Sequence, residues 1–179
     1  MPIVILAVVV ILVLWCISIY NSLIKLKNQV EEAFSTMDVY LKKRFDLIPN
    51  IVETVKGYAK HEAETLEKVI AARNSAVSAD DKIKAEGEIQ GALKNLFAVA
   101  EAYPDLKANQ NFLSLQNSLK EIENDIANSR KYYNGVVKNY NIKTELFPSS
   151  IIAGMFKFER KPLFEVSDAT ERENVKVEF

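Results

Sequence analysis

The sequence predicts an all-α protein: an N-terminal transmembrane helix followed by an antiparallel up-and-down four-helix bundle with long helices. Three observations predict it. Ile3 to Tyr20 is eighteen residues without a charge, about 27 Å as a helix and close to the hydrocarbon thickness of a bilayer. Beyond Asn21 the apolar residues recur in steps of three and four, as helices with one buried stripe require. Five glycines and five prolines in 179 residues leave room for long helices. The chain then divides into an anchor at 1–20, a bundle at 21–148, and an apolar-basic segment with an extended tail at 149–179.

The first element is a retained anchor. A cleaved signal needs a basic start, a shorter apolar core and a small-x-small cleavage site. Only Met1-Pro2 precedes Ile3, and Tyr20-Asn21-Ser22-Leu23 follows the core. Cys16 is the only cysteine, and Trp15 stands before it where a lipoprotein site takes a small residue. Lys25 and Lys27 follow the span and no basic side chain precedes it. The positive-inside rule then favours a cytoplasmic C-terminal domain.

The first bundle seam is Leu23, Leu26, Val30, Phe34, Met37, Leu41, Phe45 and Ile48. Pro49 disfavours helix at Ile48 and removes a donor, and Asn50 with Glu53 resembles a capping box. A tight reversal is expected here, with a kink as the alternative. The second seam is Val52, Val55, Ala59, Glu62, Leu66, Val69, Arg73 and Ala76. Ser78 and Asp81 form the next candidate cap. The third seam is Ile83, Glu86, Ile89, Leu93, Leu96, Ala100 and Tyr103, and Pro104 ends it. Gly87 and Gly91 on this helix imply close packing or an exposed, weak first turn.

The fourth helix is the longest, with Phe112, Leu115, Leu119, Ile122, Ile126, Ser129, Tyr133, Val136, Tyr140, Lys143 and Phe147 on its seam. It spans roughly 55 Å, and Pro148 closes it. In an up-and-down bundle its end returns to the bilayer. Met155, Phe156, Lys157, Arg160 and Lys161 then join Lys25 and Lys27 as candidate membrane-interface residues, mixing large apolar with basic side chains. The alternative is that Ile151, Met155 and Phe158 cover the end of the bundle core. Glu165 to Phe179 is expected to be an extended or mobile tail.

Chemistry is sparse. His61 is the only histidine, and His61-Glu62-Ala63-Glu64 lacks the second histidine of a zinc-protease helix. No phosphate loop, activated nucleophile, catalytic pair, metal cluster or cofactor motif is present, so no catalytic, metal or cofactor residue is assigned. A net charge of −1 gives no footprint for nucleic acid. Lys42-Lys43-Arg44 is expected to be a solvated basic run. Glu62, Arg73 and Lys143 lie on apolar seams and either pair within the bundle or mark a face for another subunit. The tyrosine-asparagine pairs Tyr133-Asn134 and Tyr140-Asn141 stand one heptad apart, with a third at Tyr20-Asn21. They are expected to form a polar layer inside the bundle.

The runs Asp46 to Arg73 (DLIPNIVETVKGYAKHEAETLEKVIAAR), Ala102 to Leu119 (AYPDLKANQNFLSLQNSL) and Glu123 to Phe147, with the start YNSLIKLKNQVEEAFSTMDVYLKKR, closely resemble the LemA family. Phe34 stands where that pattern carries tryptophan, and Tyr40 and Phe45 where it carries more polar residues. The resemblance implies a single-pass protein of the bacterial plasma membrane, with an antiparallel four-helix bundle, no established enzymatic activity and no known cofactor. It also implies magnetosome-associated relatives linked to membrane remodelling, and others associated with membrane metalloproteases. Two functions are expected. One is a non-enzymatic scaffold that binds the lipid bilayer, forms a homo-oligomer and shapes the membrane. The alternative is an adaptor that recruits or regulates a membrane enzyme such as a metalloprotease.

Overall fold

A computed structural model describes residues 1–75 and 79–164, with residues 79–85 described by their backbone alone. All its regular structure is helical. The elements are α1 (Pro2–Tyr58), α2 (Ala63–Ser75), α3 (Ala79–Ala100), α4 (Pro104–Lys107), α5 (Gln110–Glu145) and α6 (Ser149–Met155). They form two compact units. One is Met1–Met37 with Asn128–Phe164; the described part of the other lies within Asp38–Ala127.

In the first unit, α1 begins with the apolar span. The large apolar side chains from Ile3 to Ile17 are exposed, at 48–80 %. A continuous apolar surface of that size is far beyond what a water-soluble chain leaves bare. Among the described residues α1 alone is long and apolar enough to cross a membrane. The seam starts where the span ends: Ile19, Leu23, Val30, Ala33 and Met37 are buried. Phe34 is half-buried and meets the Tyr133 ring at 5.8 Å. On α5 in this unit the buried positions are Ser129, Tyr133, Val137, Tyr140 and Asn141. Val137 takes the place expected for Val136, and Phe147 is 80 % exposed rather than on the seam. The last turn of α5 is closed by Ser149, whose one hydroxyl proton is shared between the carbonyls of Lys143 (2.6 Å) and Leu146 (2.8 Å), groups a helix end leaves open.

In the second unit, α1 runs through Pro49 and ends at Tyr58. The reversal expected at Pro49 does not occur. Proline orphans the carbonyl four residues before it, that of Phe45. That carbonyl accepts the Arg73 Nε–H instead, at 3.3 Å. The chain turns at residues 59–62, with Lys56 in the last turn of α1 and Glu64 in the first turn of α2, each matching the helix dipole it meets. Had it continued as one helix, Arg73 and Phe45 would lie about 42 Å apart. Their contact makes α2 antiparallel to α1. The second helix is therefore 13 residues, shorter than expected, and the second seam is shared between α1 and α2. Exposed His61 sits in this turn, not on a helix.

α3 buries Glu86, Ile89, Leu93, Leu96 and Ala100, as its seam predicts. A Cβ added at Gly87 or Gly91 meets nothing within 4 Å, so neither glycine serves close packing. Pro104 opens α4 at a first-turn position suited to it. Asn109 caps α5: its Oδ1 accepts the Phe112 N–H at 3.0 Å, and its Nδ2 donates to the Tyr58 hydroxyl at 2.8 Å. Arg44 meets Glu123 and Tyr58 meets Asn109, so an advance along α1 matches an equal retreat along α5. Ile48, Val55, Leu66, Val69, Leu96, Leu106 and Leu119 belong to a core cluster that these helices share. Ala76, Ser78, the side chains of Asp81 and Ile83, and the tail from Glu165 lie outside the described residues.

Candidate membrane-proximal site

The first unit gathers its C-terminal segment against α1 just past the apolar span. α6 follows the turn at Pro148 and buries Ser149, Ile152 and Ala153, its i, i+3, i+4 face. Ile152 and Ala153 cluster with Ile19 and Leu23, and Cys16, Tyr20 and Phe158 pack around them. Tyr20 is held by two aromatic neighbours, with ring centroids 4.7 Å from Phe156 and 5.8 Å from Phe158. Of the residues expected to cover the end of the core, Phe158 packs there and Ile151 and Met155 are exposed. Ile152, Ala153 and Phe158 cover the end of the α1 seam. Ile151, Met155 and Phe156 are 55 %, 70 % and 56 % exposed, with Leu146 and Phe147 exposed beside them in the chain.

α6 ends in a Schellman arrangement, with the Phe158 N–H on the Ala153 carbonyl (2.9 Å) and the Lys157 N–H on the Gly154 carbonyl (3.3 Å). The left-handed position is Lys157, at φ 54°, where glycine is the usual residue. A side chain there costs about 1 kcal/mol. The chain then runs back along α5 as an extended strap, 158–164.

The tyrosine-asparagine pairs hold that strap. Asn141 is a two-way clamp: its Nδ2 donates to the Lys161 carbonyl (2.8 Å) and its Oδ1 accepts the Lys161 N–H (2.9 Å). Asn134 does the same for Phe164, at 3.0 and 2.8 Å. The Tyr140 hydroxyl donates to the Glu159 carbonyl (3.0 Å) and the Tyr133 hydroxyl to the Pro162 carbonyl (3.1 Å). The repeat is geometric. Seven helical residues rise about 10.5 Å and three extended residues span about 10 Å, so one heptad of α5 matches three residues of strap. The pairs are therefore a fastening for the C-terminal segment, not the internal polar layer expected. Their heptad spacing is the sequence signal, and its partner is visible only once the strap is placed. Burial, then the carboxylates of Glu159 and Glu31, raise the Tyr140 phenol above its ordinary range, keeping the donor protonated.

The basic residues expected at the membrane interface fall into two groups. Lys27, Lys157 and Lys161 line one cavity of about 450 Å³ with Tyr20, Tyr140 and Glu159. Lys25 is exposed outside it, and Arg160 is an exposed partner of Glu145 at 2.9 Å.

The second unit carries a buried ion cluster that sequence reasoning missed. Arg44 is 2 % exposed. Its Nη1 donates to Glu86 Oε1 at 2.8 Å and to Glu123 Oε1 at 3.2 Å, and its Nη2 donates to Glu86 Oε2. Burial pulls the guanidinium pKa down, but both carboxylates outweigh it, and the net shift is upward. The solvated basic run expected here is thus broken at its third residue. Lys42 is solvated and pairs with Asp46 at 2.7 Å, while Arg44 sits between Leu41 and Ile48 on the buried line. Glu62 accepts the Tyr103 hydroxyl at 3.0 Å, which raises the tyrosine pKa. Among the described residues no three His, Cys, Asp or Glu side chains converge on a metal position.

The LemA family profile matches residues 33–179. Protein LemA of Metamycoplasma hominis is 28% identical over 155 residues, which cover 83% of this chain and 69% of the relative. Magnetosome protein MamQ 2 of Paramagnetospirillum magneticum is 23% identical over 179 residues, covering 84% of this chain and 66% of that protein. Magnetosome protein MamQ of Magnetospirillum gryphiswaldense is 21% identical with the same coverage. This chain thus spans just under two thirds of the length of the magnetosome relatives.

Proposed function

This chain belongs to the LemA family, and on that premise we propose that it is a non-enzymatic, membrane-anchored helical scaffold that self-associates and organises or remodels the bilayer. The observation that carries it is the seating of α6 on Ile19 and Leu23, at the C-terminal end of the apolar span. With the span inserted, exposed Phe147, Ile151, Met155 and Phe156 lie at the level of the interface, where apolar side chains enter the acyl boundary. An apolar collar beside a span displaces lipid on one leaflet only, which is how an anchored protein bends a membrane. The packing of Cys16 and Tyr20 against α6 supports a retained span, since cleavage there would strip the seat. The likeness to magnetosome proteins supports the same direction. Lys25 and Lys27 after the span favour a cytoplasmic position for the chain beyond it, at the bacterial plasma membrane.

Electron microscopy of the full-length protein in liposomes tests this. Rings, arrays or deformed vesicles are expected, and Phe147→Ser with Met155→Ser and Phe156→Ser should restore smooth vesicles. Single particles on undisturbed vesicles would sink the scaffold and favour the adaptor, with a membrane enzyme such as a metalloprotease as the companion to seek.

A further inference from the structure

We propose that the cavity at Lys27, Lys157 and Lys161 binds the phosphate of one anionic phospholipid headgroup. This rests on the membrane-surface position of α6 and adds a specific ligand to it. Three lysines and one acidic residue, Glu159, line the space. Among the described residues none of the three lysines has an ion-pair partner. About 450 Å³ lies at the small end of ligand sites, suited to a headgroup and not to acyl chains. The depth agrees. Lys27 stands seven residues past Tyr20, about 10 Å along the helix axis. The headgroup layer is roughly 5 to 8 Å deep on each side, and a lysine stem reaches back over the difference. Phe156 lines the cavity yet is 56 % exposed, so it offers an apolar ledge for the chains of the lipid whose phosphate is bound.

The strap builds the site. The Asn141 clamp fixes the Lys161 backbone and the Tyr140 hydroxyl fixes that of Glu159. Lys157 occupies a left-handed position that a glycine would fill with less strain. A scaffold that only needed a helix stop has no use for a cation there; a phosphate site does.

The test uses the full-length protein in a nonionic detergent. It is titrated with short-chain phosphatidylglycerol, short-chain phosphatidylcholine or inorganic phosphate, and binding is followed by phosphorus NMR and native mass spectrometry. Phosphatidylglycerol should saturate one site per chain, and phosphatidylcholine should not. Lys27→Gln, Lys157→Gln and Lys161→Gln should each weaken binding about fivefold, and together about 100-fold. Glu159→Gln should tighten it severalfold, a gain that damaged folding cannot produce. Equal binding of both lipids, or an unchanged affinity in the triple variant, overturns the proposal. So does inorganic phosphate binding as tightly with the same lysine dependence, which would make free phosphate the ligand. Should the triple variant lose its circular dichroism, the single Lys27→Gln and Glu159→Gln variants decide. Vesicle imaging is read separately: deformed vesicles without lipid selectivity sink the pocket and spare the scaffold.

Discussion

Arg73 donates its Nε–H to the backbone carbonyl of Phe45 at 3.3 Å and lies 4.1 Å over the Phe45 ring. One side chain thus serves the carbonyl that Pro49 cannot, and shields an aromatic ring that would otherwise face water. Arg73→Met should cost about 1.5–3 kcal/mol, the range for a hydrogen bond to a charged group. Pro49→Ala returns the missing N–H and should stabilise by about 1–3 kcal/mol, within the helix-interior penalty of proline. Urea unfolding of both single variants and the double variant in mild detergent should show strong coupling, with the Arg73→Met effect much reduced in the Pro49→Ala background. Strict additivity would mean that the two residues act independently.

The Arg44 cluster should behave as a register device. Arg44→Met leaves Glu86 buried without its partner and should cost about 3–5 kcal/mol. Arg44→Met with Glu86→Leu removes the pair and should recover most of that loss. A double variant no more stable than Arg44→Met alone would mean that the ion pair itself stabilises the unit. The measurement is the unfolding midpoint of each variant under one detergent condition.

Asn134 and Asn141 should account for the order of the strap. The Lys161 and Phe164 amides donate to their Oδ1 atoms, so hydrogen exchange reads the clamp directly. Asn141→Ala should speed exchange at residues 158–162 by about 10- to 100-fold, equivalent to 1–3 kcal/mol for two lost bonds. Exchange in the second unit should not change.

Alkaline pH should release the same segment. The Tyr140 pKa is raised in the folded state, so its contribution is complete below the ordinary tyrosine value of about 10 and is lost as pH rises through the raised one. A phenolate cannot donate to the Glu159 carbonyl. Phenolate absorbance and strap exchange should therefore rise together above about pH 10 in the native protein, and in Tyr140→Phe the strap should already exchange fast at neutral pH.

The span, the third seam and most of the fourth are legible in the sequence because burial follows apolar spacing there. Three of the misses share one cause: polar groups whose partner lies far along the chain. Apolar spacing alone puts Phe45 on the first seam. Arg44, one residue earlier and equally in phase between Leu41 and Ile48, takes the buried position because Glu86 and Glu123 neutralise it. Pro49 signals a reversal because its local penalty is real, and Arg73, twenty-four residues later, offsets it. The tyrosine-asparagine heptad is visible, but its partner is an extended backbone with no periodicity of its own. Of the membrane-interface candidates, Lys27, Phe156, Lys157 and Lys161 share one cavity. Lys25 and Met155 are exposed outside it, and Arg160 pairs with Glu145. That division depends on the left-handed turn at Lys157, which no spacing announces.

The most direct measurement is the membrane depth of α6. A nitroxide on Met155→Cys in a Cys16→Ala background, with the protein in lipid nanodiscs, reports it by relaxation with oxygen and with a water-soluble nickel chelate. Exposed Lys131→Cys on α5 serves as the solvent reference. The label at 155 should favour oxygen and sit about 5–10 Å into the boundary, as an interfacial helix does. Nickel access at 155 equal to that at 131 would place α6 in water and contradict a collar at the membrane surface.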